Sequence, residues 1–132
     1  MTNNKLADNC IKQAQYDLET AKSNAKDGHH ALACFLSYES TVKIVSGFLY
    51  KKGAEFVWGS SISDLCEDAM VFDPSFDLVK SVAMLLDKYS HQTRFPTSSL
   101  PGNPPYEVYD KNDSARSIEI AEEVMKTIIN RI

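Results

Sequence analysis

Two glycine-terminated breaks, "KDG" at 26–28 and "KKG" at 51–53, divide the first half of the chain into two long stretches of helical period. In the first, from about Asn3 to Lys26, Leu6, Cys10, Ala14, Leu18, Ala21 and Ala25 return every three or four residues and form one apolar stripe. In the second, from about His29 to Lys52, the stripe is Ala31, Cys34, Phe35, Tyr38, Val42, Val45 and Leu49. Gly28 and Gly53 suit the left-handed position that closes a helix, and the lysines before Gly53 favour a helix C-terminus. No segment alternates apolar and polar residues for long enough to form a strand.

The second half repeats the pattern in shorter pieces. A short helix follows "VWGS", with Ser61 and Asp64 spaced as a weak capping box and Leu65 and Ala69 facing inward. "FDPSF" opens a fourth helix, with Asp73 as N-cap, Pro74 at the first helical position and Val79, Val82, Ala83 and Leu86 buried. A fifth begins after Asp113 as N-cap, and Ile118, Ala121, Met125, Ile128 and Ile132 carry its stripe to the last residue. The expectation is an all-α fold. It is an antiparallel up-and-down four-helix bundle with an additional short helix, formed as a single domain over residues 1–132.

At 132 residues, 43% hydrophobic and 24% charged, the chain can bury a core without disulfides or a structural metal. A net charge of -4 argues against a generally basic surface for sequence-independent nucleic-acid binding and leaves room for a local basic patch. No apolar run approaches the roughly 18 residues that span a bilayer, so no membrane partner is expected. "MTNNKLADNC" has no apolar signal core, which points to a cytoplasmic protein. Cys10, Cys34 and Cys66 are odd in number and lack CxxC spacing, as expected of reduced, mostly buried thiols. No motif calls for a cofactor.

"HQTRFPTSSLPGNPPY", His91 to Tyr106, differs from the rest by holding four of the five prolines. A long irregular connection in a small helical domain is usually functional or mobile. Pro101, Pro104 and Pro105 stiffen it, Arg94 and Phe95 anchor its beginning, and Tyr106 and Tyr109 its end.

Several segments in order resemble one family. "AQYDLETA", Ala14 to Ala21, resembles the A-x-x-D-L-x-x-A of the first helix of HEPN (higher eukaryotes and prokaryotes nucleotide-binding) domains. "CFLSYESTVKIVSGFL", Cys34 to Leu49, aligns without gaps on the family's second helix. "WGSSISDL" resembles the turn into helix three, "TRFP" the A-R-Y-P after helix four, and "SARSIEIAEEVMKTI" the closing helix. The resemblance covers nearly the whole chain and implies a helical bundle, commonly a homodimer, often partnered with a minimal nucleotidyltransferase in toxin-antitoxin pairs. Several branches are ribonucleases that carry Arg-x4-6-His. Here every histidine (His29, His30, His91) precedes every arginine (Arg94, Arg116, Arg131), so that motif is absent in any register. Ser60 stands where the family has a turn histidine. The polar positions of helix two become Tyr38, Glu39 and Val42, with Lys43 kept.

The reading that follows is a non-catalytic binding module for a nucleotide or RNA phosphate. One alternative is a degenerate ribonuclease using His91 and Arg94; another is a structural homo-oligomeric assembly protein. Arg94 is the first candidate ligand residue, because a guanidinium makes bidentate phosphate contacts; its plainer role is to anchor the Phe95–Pro96 turn. His91 stands three residues before it, one helical turn away. Lys43 and Lys88 are candidate helpers in a groove between helices one, two and four. Asp17 orients Arg94 or a ligand, or pairs structurally with Lys43 or a tyrosine. Tyr106, with Tyr109, is suited to stacking on a base or to packing on the bundle. His30 and Cys34, four apart, could start a zinc site, but no second pair completes it. Phe48, Tyr50, Phe56, Val57 and Trp58 cluster near one end of helix two as a candidate dimer surface.

Overall fold

The computed structural model describes residues 3–96 and 102–132. It is all-helical among them: α1 (Asn3–Lys26), α2 (His30–Lys51), α3 (Ile62–Met70), α4 (Phe76–Ala83), α5 (Pro105–Val108) and α6 (Lys111–Ile129). A 3-10 segment over Met84–Tyr89 continues α4. The two glycine stops work as expected. Gly28 and Gly53 have φ of +86° and +100°. After each, the chain makes the paired bonds of a Schellman turn: Gly28 N–H to Ala25 and His29 N–H to Asn24, then Gly53 N–H to Tyr50 and Ala54 N–H to Leu49.

The core gathers one face of each long helix. Phe48 and Phe76 are fully buried, their rings 4.6 Å apart, among Ile44, Val45, Ile62, Leu65, Leu86, Val124 and Ile128. α2 is the central element, in contact with α1, α3, α5, α6 and the 3-10 segment. By length and composition α2 could cross a membrane, but 67% of its most apolar window is buried inside this bundle, as a core helix requires. Burial pushes the Cys34 thiol up to about 11 and the Cys66 thiol up to about 12. All three cysteines are free.

Some boundaries differ from the sequence reading. The N-cap of α6 is Asp110, not Asp113. Asp110 accepts from the Asn112 and Asp113 backbone, and Asp113 sits at the third helical position and accepts from Asp110 N–H in a reciprocal capping box. α6 ends at Ile129, leaving Ile132 partly exposed beyond it. Asp73 shapes a turn before α4 rather than capping it: its carboxylate accepts from Ser75 N–H and Oγ, and the helix starts at Phe76. Val82 is 41% exposed because it sits on the flank of the buried Phe76–Val79–Ala83–Leu86 stripe, beside a shallow groove between α4 and α6. Part of the proline-rich connection is helical. Pro105 occupies the first turn of α5, where its missing N–H costs nothing. Pro101 lies outside the described residues.

One long-range contact joins the α3–α4 excursion at its ends. The Asp87 carboxylate, in the 3-10 segment, accepts from Ile62 N–H at 2.7 Å and Ser63 N–H at 3.0 Å. It thereby completes the cap of α3, of which Ser61 satisfies only Asp64 N–H. Asp87→Ala should cost about 1–2 kcal/mol and lower the thermal midpoint by roughly 3–8 °C, read by circular dichroism. An unchanged midpoint would mean that water replaces the carboxylate at no cost.

Candidate functional site

The end of the bundle where α1 turns into α2 holds a cleft of about 380 Å³, lined by Gly28, His29, His30, Ala31, Leu32, Thr93, Arg94, Pro105 and Tyr106. Four pieces of chain build it. The Gly28 turn opens α2. The 3-10 segment ends in a turn that presents Thr93 and Arg94, and Thr93 Oγ1 is fixed by donating to the Tyr89 carbonyl at 2.6 Å. α5 brings Pro105 and Tyr106. α6 supports the wall from behind through Ser114, whose Oγ lies 2.8 Å from His30 Nδ1.

Arg94 is held in two ways. Its Nε donates to the Ser90 carbonyl at 2.8 Å, and its guanidinium lies 4.3 Å from the Phe35 ring centroid and 5.2 Å from that of Phe95. Among the described residues no carboxylate pairs with it, whereas the other two arginines face acids, Arg131 with Asp73 at 3.1 Å and Arg116 with Glu119 at 4.0 Å. Within the described residues both terminal nitrogens of Arg94 are therefore left without a protein partner, in a chain of net charge -4. The start of α2 adds to this local positive character. It has no side-chain cap and no acid in its first turn, so among the described residues no side chain answers its first N–H groups. Tyr106, 76% exposed, offers an aromatic face at the rim; a hydrogen bond with Glu107 holds its phenol above the usual range.

The residues proposed from sequence do not form one site. Arg94 and Tyr106 line the same cleft. His91 does not: its ring stacks on Phe95 at 4.3 Å between centroids, and its carbonyl accepts from Arg94 N–H. Lys43 and Asp17 are partners to each other on the α1–α2 face, 2.5 Å apart, with Glu39 at 2.8 Å on the other side of the ammonium. Burial opposes the charge on Lys43, but bonds to Asp17 and Glu39 outweigh it and hold the ammonium above its ordinary range. Asp17 is almost fully buried and also accepts from Gln13 Nε2, so it is the structural partner of Lys43. Lys88 lies over the Tyr89 ring. The expected groove between helices one, two and four, with Arg94 and two lysines, is thus replaced by the cleft at the start of α2.

The histidine wall is what the sequence reading missed. Spacing offers His30 only as a zinc ligand with Cys34, but Cys34 is buried against Ser117 and His30 turns to Ser114. No group of three or more His, Cys, Asp or Glu side chains among the described residues is placed to hold a metal ion. The signal that could have exposed the cleft is the pair His29–His30 directly after a helix-closing glycine. The aromatic cluster is also split: Phe48 belongs to the core, whereas Phe56 and Trp58 are 71% and 79% exposed with rings 6.1 Å apart.

Comparison with known proteins agrees with the fold. The HEPN domain family model matches residues 7–132. An archaeal HEPN homologue of known structure is 32% identical, with 95% of this chain and 96% of that one covered and a TM-score of 0.75. A protein of Thermus thermophilus is 26% identical over 96% and 98% of the two chains, with a TM-score of 0.85. A HEPN domain protein of Thermotoga maritima, 24% identical over 92% and 95%, superposes with a TM-score of 0.72 and supports the fold alone. No curated protein sequence matches the chain.

Proposed function

The chain belongs to the HEPN domain family, and from that premise we propose that it is a non-catalytic binding module whose cleft takes a phosphate-bearing nucleotide or RNA end. The observation that carries this reading is Arg94: a planar cation fixed on Phe35, with no acidic partner among the described residues, beside the uncapped start of α2. Phosphate is the ligand chemistry that uses both features, because it accepts bidentate bonds from guanidinium and bonds from outward-pointing N–H groups. Tyr106 at the rim is suited to the face of a base. The absence of Arg-x4-6-His and the position of His91, stacked on Phe95 away from the cleft, favour binding over cleavage.

In the same proposal the protein works in the cytosol as a homodimer, with the exposed Phe56–Trp58 pair as an apolar contact, and with a minimal nucleotidyltransferase as its protein partner. Isothermal titration of the purified protein with AMP and with adenosine tests the ligand reading. AMP should bind saturably, more weakly as salt rises, and adenosine should bind far less. Absence of AMP binding, or equal affinity for adenosine, would remove the phosphate site.

A further inference from the structure

The histidine wall bears on which phosphate the cleft takes. Resting on the phosphate-site reading above, we infer that the cleft selects a terminal phosphomonoester over a phosphodiester, with His30 supplying the second positive charge. A diester carries one negative charge at any ordinary pH. A monoester carries nearly two at neutral pH, its second proton leaving near pH 6. Arg94 alone balances the first. Dianion recognition needs another cation close by, and among the described residues no lysine lines this cleft; the histidines do.

His30 is the better placed of the two. Ser114 has one hydroxyl proton, and its Oγ donates to the Lys111 carbonyl at 3.2 Å. The same oxygen lies 2.8 Å from His30 Nδ1, which leaves Nε2 as the ring nitrogen without a protein partner among the described residues. Asp110 at the head of α6 is held below the usual carboxylate range, chiefly by the Asp113 backbone and in part by the charge of His30. Asp113 bonds the Asp110 N–H, so both carboxylates are held in the capping box at the head of α6. On α2 itself the Cys34 thiol, pushed up to about 11, stays neutral. From the remaining walls come Arg94 and the Tyr106 phenol with its Glu107 partner. A dianion lying between Arg94 and His30 meets a donor on each wall of the cleft.

The test compares AMP with 3′,5′-cyclic AMP, which keeps the nucleoside and changes the monoester to a diester. A 5′-phosphorylated RNA oligomer and its 5′-hydroxyl form tell whether the monoester is read on a free nucleotide or on an RNA end. At about pH 6.5 AMP should bind roughly tenfold or more tightly than the cyclic diester. The preference for AMP should grow between about pH 5 and 7, as the ligand loses its second proton. His30→Gln keeps a side-chain bond to Ser114 but no charge, and should bring the two affinities within about twofold; His29→Gln should not. If that variant fails to fold, the wild-type pH profiles decide alone. Equal affinity for AMP and cyclic AMP, with both far above adenosine, would overturn monoester selection and leave the phosphate site standing. No binding of either nucleotide would overturn both.

Discussion

Arg94→Lys is expected to weaken AMP binding about ten- to a hundred-fold while lowering the thermal midpoint by no more than about 3 °C. Lysine keeps the charge but not the planar fork, and an ammonium cannot lie flat on Phe35 while bonding the Ser90 carbonyl and still present two donors. Phe35→Leu separates charge from placement. It leaves Arg94 intact but takes away the ring, and should weaken binding less than Arg94→Lys does. Titration calorimetry and a melting curve on the same preparations decide the matter. A large loss of thermal stability with unchanged nucleotide affinity would make Arg94 an anchor for the Phe95–Pro96 turn and nothing more.

Phe48→Ala should have the largest effect on stability of the substitutions considered, about 3–5 kcal/mol, or roughly 10–20 °C in midpoint. The ring is fully buried, packs against Phe76, and sits where α2 meets the α3–α4 excursion, so the neighbours cannot close the void without moving the whole excursion. Urea unfolding should show a lower midpoint with an unchanged slope. Because the two rings share one contact, Phe48→Ala and Phe76→Ala together should cost less than the sum of the single substitutions. A loss below about 1 kcal/mol for Phe48→Ala would contradict the close packing of this layer.

Most of the fold was legible because it depends on local rules. Apolar spacing marked α1, α2 and α6, and the glycines marked the stops to within a residue. The errors fell where two local rules competed. "DKND" offers two acidic caps three residues apart, and only the reciprocal bonding of Asp110 and Asp113 shows which begins α6. "FDPS" reads as a helix start, but Asp73 spends its carboxylate on Ser75 and Arg131. The site was less legible because its defining contacts are long-range. His30 meets Ser114 across 84 residues, and Arg94 rests on Phe35 from another part of the chain. Lys43 reads as a phosphate ligand in sequence, but Asp17, 26 positions earlier, holds it. Sequence singled out the arginine as a candidate; only the packing shows its surroundings.

The ring beneath Arg94 has a consequence for how fast and how selectively a ligand could be held. A free arginine side chain samples many rotamers, and confining it costs up to about 1.5–2 kcal/mol. Here Phe35 and the Ser90 carbonyl restrict those rotamers during folding, before any ligand arrives. In the proposed site the guanidinium would meet an incoming phosphate as a nearly fixed receptor, so little of the encounter would be lost to ordering the protein side. The same restriction makes it less tolerant: an anion whose oxygens do not match the fixed plane cannot draw the arginine after it. In the proposed site, discrimination would therefore originate in a hydrophobic residue that no ligand needs to touch.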